Sequence, residues 1–193
     1  MLPPVDDLPA GVVETVAPAP ADDRPAATGI KAFRIYWWLS LAAIVVDQVA
    51  KAIVRDTLLP YESRTVIPGL VDIIHVHNAG VAFGLLNDSD LPFKGWLTTA
   101  LAVLALVGIG FYARHVRPEE RLARAGLSLI LGGAVGNLAD RLRQSYVIDF
   151  LDVYWRGWHF WAFNIADACI TVGAILVFVD LLFVARHHAS HSF

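Results

Sequence analysis

Residues 161–184 read WAFNIADACITVGAILVFVDLLFV, an apolar run whose only charged groups are Asp167 and Asp180. A helix of about 20 apolar residues covers the roughly 30 Å of hydrocarbon in a bilayer, so this run is long enough to cross one. An ionisable side chain inside such a span costs a few kcal/mol or more and marks a site unless something else explains it. Asp167 lies six residues past Trp161, roughly 9 Å below the outer interface at 1.5 Å per residue. Asn164 stands three positions before it and shares its helical face. Asp180, near the other end of the run, reads as a carboxylate that snorkels or pairs near Arg186. Cys169 is the chain's only cysteine, which excludes an internal disulfide and makes a thiolate zinc site implausible. It reads as a small packed thiol.

Three similar runs lie upstream, Phe33–Val54, Trp96–Tyr112 and Leu122–Leu138. The fold expected is therefore an all-α membrane protein with four transmembrane helices. Composition agrees: 17% of the 193 residues are charged, against roughly a quarter in a soluble domain. Aromatics gather at the ends of the runs, among them Trp37, Trp38, Trp96, Tyr112, Trp158 and Trp161, where amphipathic rings favour the interface. Gly132 and Gly136 stand four apart in the third run, so a neighbouring helix can approach closely there.

Lys31 precedes the first run and Arg34 stands at its start, Arg114, Arg117, Arg121 and Arg124 flank the second-to-third connection, and Arg186 follows the fourth. In a four-span chain all of these fall on one side, which the positive-inside rule makes cytoplasmic. Both termini are then cytoplasmic, and loops 55–95 and 141–160 lie outside. Residues 1–30 hold six of the ten prolines and a cluster of acids with no apolar period, the signature of a disordered cytoplasmic tail rather than a secretory signal. The membrane domain is read as 31–186, with 187–193 a short cytoplasmic tail. Net charge is −3 with no basic run, so nucleic acid is set aside as a partner.

The outer loops carry structure of their own. Segment 66–86 is β-branched, with Pro68-Gly69 and Asn78-Ala79-Gly80 as turn signals, and predicts a small extracytoplasmic β-rich element on the membrane surface. Segment 146–155, YVIDFLDVYW, is too short to span and reads equally as an interfacial strand or a bent half-helix. His75 and His77 alternate along the expected strand. Without a third ligand they read as surface residues, and no metal site is assigned.

Polar groups converge on the outer mouth of the bundle: Asp47, Lys51, Asn137, Asp140, Arg141, Asp149, Asp152, Asn164 and Asp167. Asp47 and Lys51 are four apart and can pair, an arrangement that serves structure as readily as function. Asn137 and Arg141 share a helical face, with Asp140 turned away by one helical step. No His-Glu-x-x-His or Gly-x-Ser-x-Gly motif occurs, so the zinc-protease and serine-hydrolase patterns are missing. Carboxylates remain. Two brought together cannot both ionise cheaply, so one keeps a proton near neutral pH while the other accepts one from water. That is an aspartic-protease arrangement, and residue chemistry alone does not choose which acids form it. A different class, a small transporter or ion relay using Asp47, Lys51, Asp140 and Asp167, would spread polar groups through the membrane depth.

Five stretches occur together in order: Asp47-Gln48-x-x-Lys51; Asn78-Ala79-Gly80-Val81-Ala82-Phe83-Gly84; Gly132-Gly133-Ala134-x-Gly136-Asn137-Leu138-x-Asp140-Arg141; Val147-Ile148-Asp149-Phe150; and Phe163-Asn164-x-Ala166-Asp167. In this the chain resembles the bacterial lipoprotein signal peptidases (signal peptidase II). The resemblance implies that Asp149 and Asp167 are the catalytic pair. It implies that Asn137, Arg141 and Asn164 hold the pair and the substrate backbone, that Asn78 and Gly80 belong to the loop over the site, and that Asp47 and Lys51 give support. It further implies a monomeric enzyme of the bacterial inner membrane that needs neither metal nor cofactor. Its substrates would be prolipoproteins carrying diacylglycerol in membrane lipid, cut before the lipidated cysteine at the outer face. The chain departs from the family pattern in the 1–30 tail and in the His-Val-His before Asn78.

Overall fold

The structure is a computed structural model that describes residues 29–80 and 94–189, with side chains described from 36 to 80 and from 95 to 183. The N-terminal tail through residue 28, the loop residues 81–93 with Phe83, the last four residues and the Arg186 side chain lie outside the described residues.

Four long helices dominate it: α1 (Gly29–Thr57), α2 (Lys94–Ala113), α3 (Arg121–Gln144) and α4 (Ile165–Ala189). Each contains a segment long and apolar enough to cross a membrane. The helices bury little of that apolar surface against each other. Val45, Val49 and Ile53 on α1, Leu104 and Phe111 on α2, and Ile175 and Phe178 on α4 are all exposed, which lipid tolerates and water does not. Helix α3 is the exception, with half of its span buried, because it packs against each of the other three.

Glycines make that central position possible. A Cβ on Gly133 would collide with the Ala166 carbonyl of α4, and one on Gly126 with the Gly173 carbonyl. On the other side, Gly132 faces the Ser40 carbonyl of α1, where a Cβ would stand 2.7 Å from the oxygen. Backbones this close gain dispersion contacts that replace the missing hydrophobic drive in lipid. Between these contacts the Ser40 hydroxyl donates to the Ser128 carbonyl at 2.7 Å.

Strands β1 (Ser63–Ile67), β2 (Val71–Asn78), β3 (Val147–Trp155) and β4 (Trp158–His159) form one antiparallel sheet in the order β1-β2-β3-β4. The β1–β2 hairpin turns at Pro68-Gly69, as its sequence predicts, with Gly69 at a φ of +79°. Segment 146–155, open between strand and half-helix on sequence, is strand β3. A small core of Val54, Leu58, Ile148 and Phe150 fixes the sheet to the end of α1.

Two expectations need correction. The helix of the fourth run begins at Ile165 rather than Trp161, because Phe163 bridges to Leu151 in β3 and draws 158–163 into extended chain. Asp167 therefore stands in the first turn of α4, closer to the end of the span than the roughly 9 Å read from Trp161. His75 is not a surface residue. It is buried at 3% exposure, with Nδ1 2.9 Å from the Leu58 carbonyl at the end of α1.

Candidate active site

At the sheet end of the bundle, α1 contributes a buried cation. Lys51 Nζ lies 2.8 Å from Asp47 Oδ2, 2.8 Å from Asp140 Oδ2 and 2.9 Å from Asn137 Oδ1. A buried ammonium is tolerated only where charges and acceptors surround it. Asp47 also caps a helix. Its Oδ1 accepts the Ala166 N–H at 2.9 Å, satisfying one of the donors that every helix N-terminus leaves open. Gln48 joins the node by donating to Asp140 Oδ1 at 3.0 Å. An ammonium only donates, so Lys51 holds the oxygen of the Asn137 amide and turns its nitrogen the other way.

That nitrogen donates to Asp167 Oδ1 at 2.8 Å. Asp167 is fixed locally as well. Its backbone N–H donates to Asn164 Oδ1 at 2.9 Å, and the Asn164 N–H returns to Asp167 Oδ2 at 3.3 Å. This reciprocal pair is a capping box, with Asn164 as N-cap and Asp167 three residues on. The helix dipole favours a negative charge at that position.

Asp149 comes from β3. Asn164 Nδ2 donates to its Oδ1 at 2.6 Å, and Asn78 Nδ2, at the end of β2, donates to its Oδ2 at 2.8 Å. One asparagine thus holds both carboxylates. Burial, and after it the charge of Asp167, push Asp149 up from the usual carboxylate range to about 7, although Asn78, Asn164 and Lys51 pull the other way. A carboxyl so placed keeps its proton through the mildly acidic range and gives it up near neutral pH.

Arg141 closes the group, giving Nη2 to the Gly80 carbonyl at 3.1 Å. Its Nε is buried without a hydrogen-bond partner among the described residues, an open donor beside the carboxylates. Asn78, Asn137, Arg141, Asp149 and Asp167 line one cavity of about 740 Å³, whose remaining wall is almost wholly apolar. The sequence-predicted catalytic and supporting residues all lie at this end of the molecule. Asp47 and Lys51 stand behind the cavity wall, while Asn164 and Gly80 position groups that line it. Asp152, gathered at the same mouth on sequence, is not part of the cavity and pairs instead with exposed His159 at 2.8 Å. Sequence reasoning missed Thr98, Leu101, Ala102 and Ala105 of α2, which also line the cavity. Their helical spacing was the available signal. Asp180 is buried far from the site, further along α4.

Two carboxyls of unlike environment thus share an asparagine at the head of an apolar cavity, among four helices long enough to span a membrane. Known proteins place the chain in a class of membrane peptidases. A family model described as "Signal peptidase (SPase) II" matches residues 39–183. The chain is 42% identical to the lipoprotein signal peptidase of Symbiobacterium thermophilum, covering 77% of this chain and 94% of that one. It is 45% identical to that of Solibacter usitatus, covering 79% and 94%. Among solved structures, a bacterial membrane enzyme determined by the in meso method aligns with a TM-score of 0.69 at 28% identity, over 82% of this chain and 92% of that one. The chain belongs to the signal peptidase II family, and is a peptidase of the bacterial inner membrane that crosses it several times.

Proposed function

We infer that this peptidase is an aspartyl endopeptidase that removes signal peptides from diacylglyceryl-modified prolipoproteins, cutting before the lipidated cysteine. The observation that carries the reading is the Asn164 bridge between Asp149 and Asp167 at the head of the apolar cavity. Asp167, surrounded by donors, is the ionised partner and takes a proton from water as that water attacks the scissile carbonyl. Asp149, protonated, donates to the carbonyl oxygen and stabilises the tetrahedral intermediate. Collapse of the intermediate breaks the C–N bond: the amine leaves with the proton Asp167 acquired, and the hydroxyl formed at the carbonyl returns its proton to Asp149. The Arg141 Nε–H is free to hold substrate backbone. None of these steps calls on a cofactor. The relay reading is set aside by family membership, and its four residues gather at one end instead of along a path.

The pH profile tests the mechanism. The pair should give a bell-shaped rate whose alkaline limb falls near pH 7, where Asp149 loses its proton, and whose acid limb marks protonation of the ionised partner. Initial rates on a lipidated peptide in detergent check this. A flat profile through the acidic and neutral range argues against carboxylate chemistry.

The sheet and the cavity mouth are read as facing outward, with both termini cytoplasmic, since Arg114, Arg117, Arg121 and Arg124 crowd the α2–α3 connection. The catalytic unit is 31–186, acting as a monomer, with 1–30 and 187–193 outside it. Cysteines placed singly at Tyr61 and at Arg117 should label from outside and inside respectively. The reverse pattern overturns the orientation.

A further inference from the structure

His75 and His77 belong to no step of the mechanism, yet their rings meet. The Leu58 carbonyl can only accept, so His75 carries a proton on Nδ1, and in the neutral imidazole its Nε2 is then an acceptor. That Nε2 lies 3.2 Å from His77 Nε2. The proton between them therefore belongs to His77, which donates to His75. The His77 ring also stacks on Tyr146, with centroids 3.9 Å apart, and meets Tyr61 at 5.9 Å. Glu62, beside Tyr61, turns its carboxylate to the Leu59 N–H. An unbroken string runs from the end of α1 through His75 to His77, and the next residue is Asn78.

Register gives the string its purpose. His77 pairs with Ile148 and Asn78 with Val147, and strand alternation sends adjacent side chains to opposite faces. Asn78 shares the cavity face with Asp149, while His77 is clamped on the other. We propose that His77, anchored by His75, is a positioning residue that holds the end of β2 so that Asn78 donates to Asp149. The proposal rests on the dyad reading above.

The test uses the full chain with a lipidated peptide, and compares wild type, His77→Phe, His77→Gln, Asn78→Ala and Asp149→Asn. Phenylalanine keeps the stack on Tyr146 and loses the donor; glutamine keeps a donor. For His77→Phe the expected result is a drop of about tenfold in kcat with KM nearly unchanged. Its alkaline limb should move up by roughly 0.5 pH unit, in the same direction as for Asn78→Ala, since a weakened hydrogen bond favours the carboxylate less. His77→Gln should recover most of both. Wild-type kcat and an unmoved limb in His77→Phe overturn the proposal. So does a fall in kcat that follows a lowered melting temperature, leaves the limb in place and is not recovered by glutamine. Full activity of Asp149→Asn would instead strike at the dyad reading itself.

Discussion

Asp149→Asn and Asp167→Asn are each expected to reduce cleavage of a lipidated peptide by at least about a thousandfold, since each removes a general acid or base together with the charge asymmetry of the pair. The protein should remain folded, because the cores formed by α3 with α1 and α4 do not involve either carboxylate. Small stability costs should nevertheless appear, and they differ. At 167 both carboxylate oxygens accept N–H donors, so an amide NH₂ must face one of them and weakens either the Asn137 contact or the capping box, by about 1 kcal/mol. At 149 the donors are Asn78 and Asn164, and the cost depends on pH. The folded-state pKa of Asp149 is raised to about 7 from 3.8, so wild type gains stability from the protonated carboxyl at low pH and loses it as pH rises toward 7. Asparagine does not titrate, so the melting-temperature difference from wild type should be largest near pH 4 and smallest near pH 8. Asp152→Asn is the internal control. It breaks only a pair with exposed His159, and activity should stay within a few-fold. Near-normal turnover in either dyad variant removes that residue from the chemistry.

The second large effect concerns the lipid. A peptide without its diacylglyceryl group is expected to be cleaved at least about a hundredfold less efficiently than the same peptide with it. Asp167 lies in the first turn of α4, and the cavity below it is walled by Leu101, Ala102 and Ala105 of α2 and by Ile170 and Val172 of α4. Ala105 also lines a second groove of about 540 Å³, which continues past Gly108 and Ile109 to Tyr112 and Leu181. From Thr98 to Tyr112 the helical rise is roughly 21 Å, enough for an acyl chain. Little energy comes from moving a chain out of lipid into such a groove, since both are apolar. The gain is positional. Acyl chains hold the peptide in the membrane at about 0.8 kcal/mol per buried CH₂ and place the bond before the cysteine at the carboxylates. Signal sequences can then vary, because register comes from the lipid. Initial rates of the two peptides in one detergent decide the matter. Equal rates would leave an aspartyl peptidase without its proposed substrate reading.

Much of the molecule is written in local composition. The four helices follow from apolar runs of spanning length, which lipid forces to satisfy their backbone hydrogen bonds internally. The Asn164–Asp167 capping box follows from a three-residue spacing, and the tight α3 packing from its glycines. Asp47 and Lys51 pair as their spacing predicts, though it was the fold that added Asp140 and Asn137 to the same ammonium.

The choice of loop acid was different. In a half-helix, Asp149 and Asp152 would share a face; in a strand they point opposite ways. Sequence left 146–155 open between the two, and only the resemblance to a family favoured Asp149. The tertiary structure decided the conformation, because pairing with β2 makes the segment a strand and so separates the two acids. That strand turns Asp149 inward to Asn164 and Asn78 and leaves Asp152 to His159. His75 was misread for the same reason: alternation along a strand tells which residues share a face, but not which face is covered. Here the end of α1 covers it. Both outcomes rest on contacts between residues far apart in the chain, 71 positions for Asn78 and Asp149 and 17 for His75 and Leu58. Local propensity and spacing carry no record of such pairings, since they exist only once packing has brought the elements together.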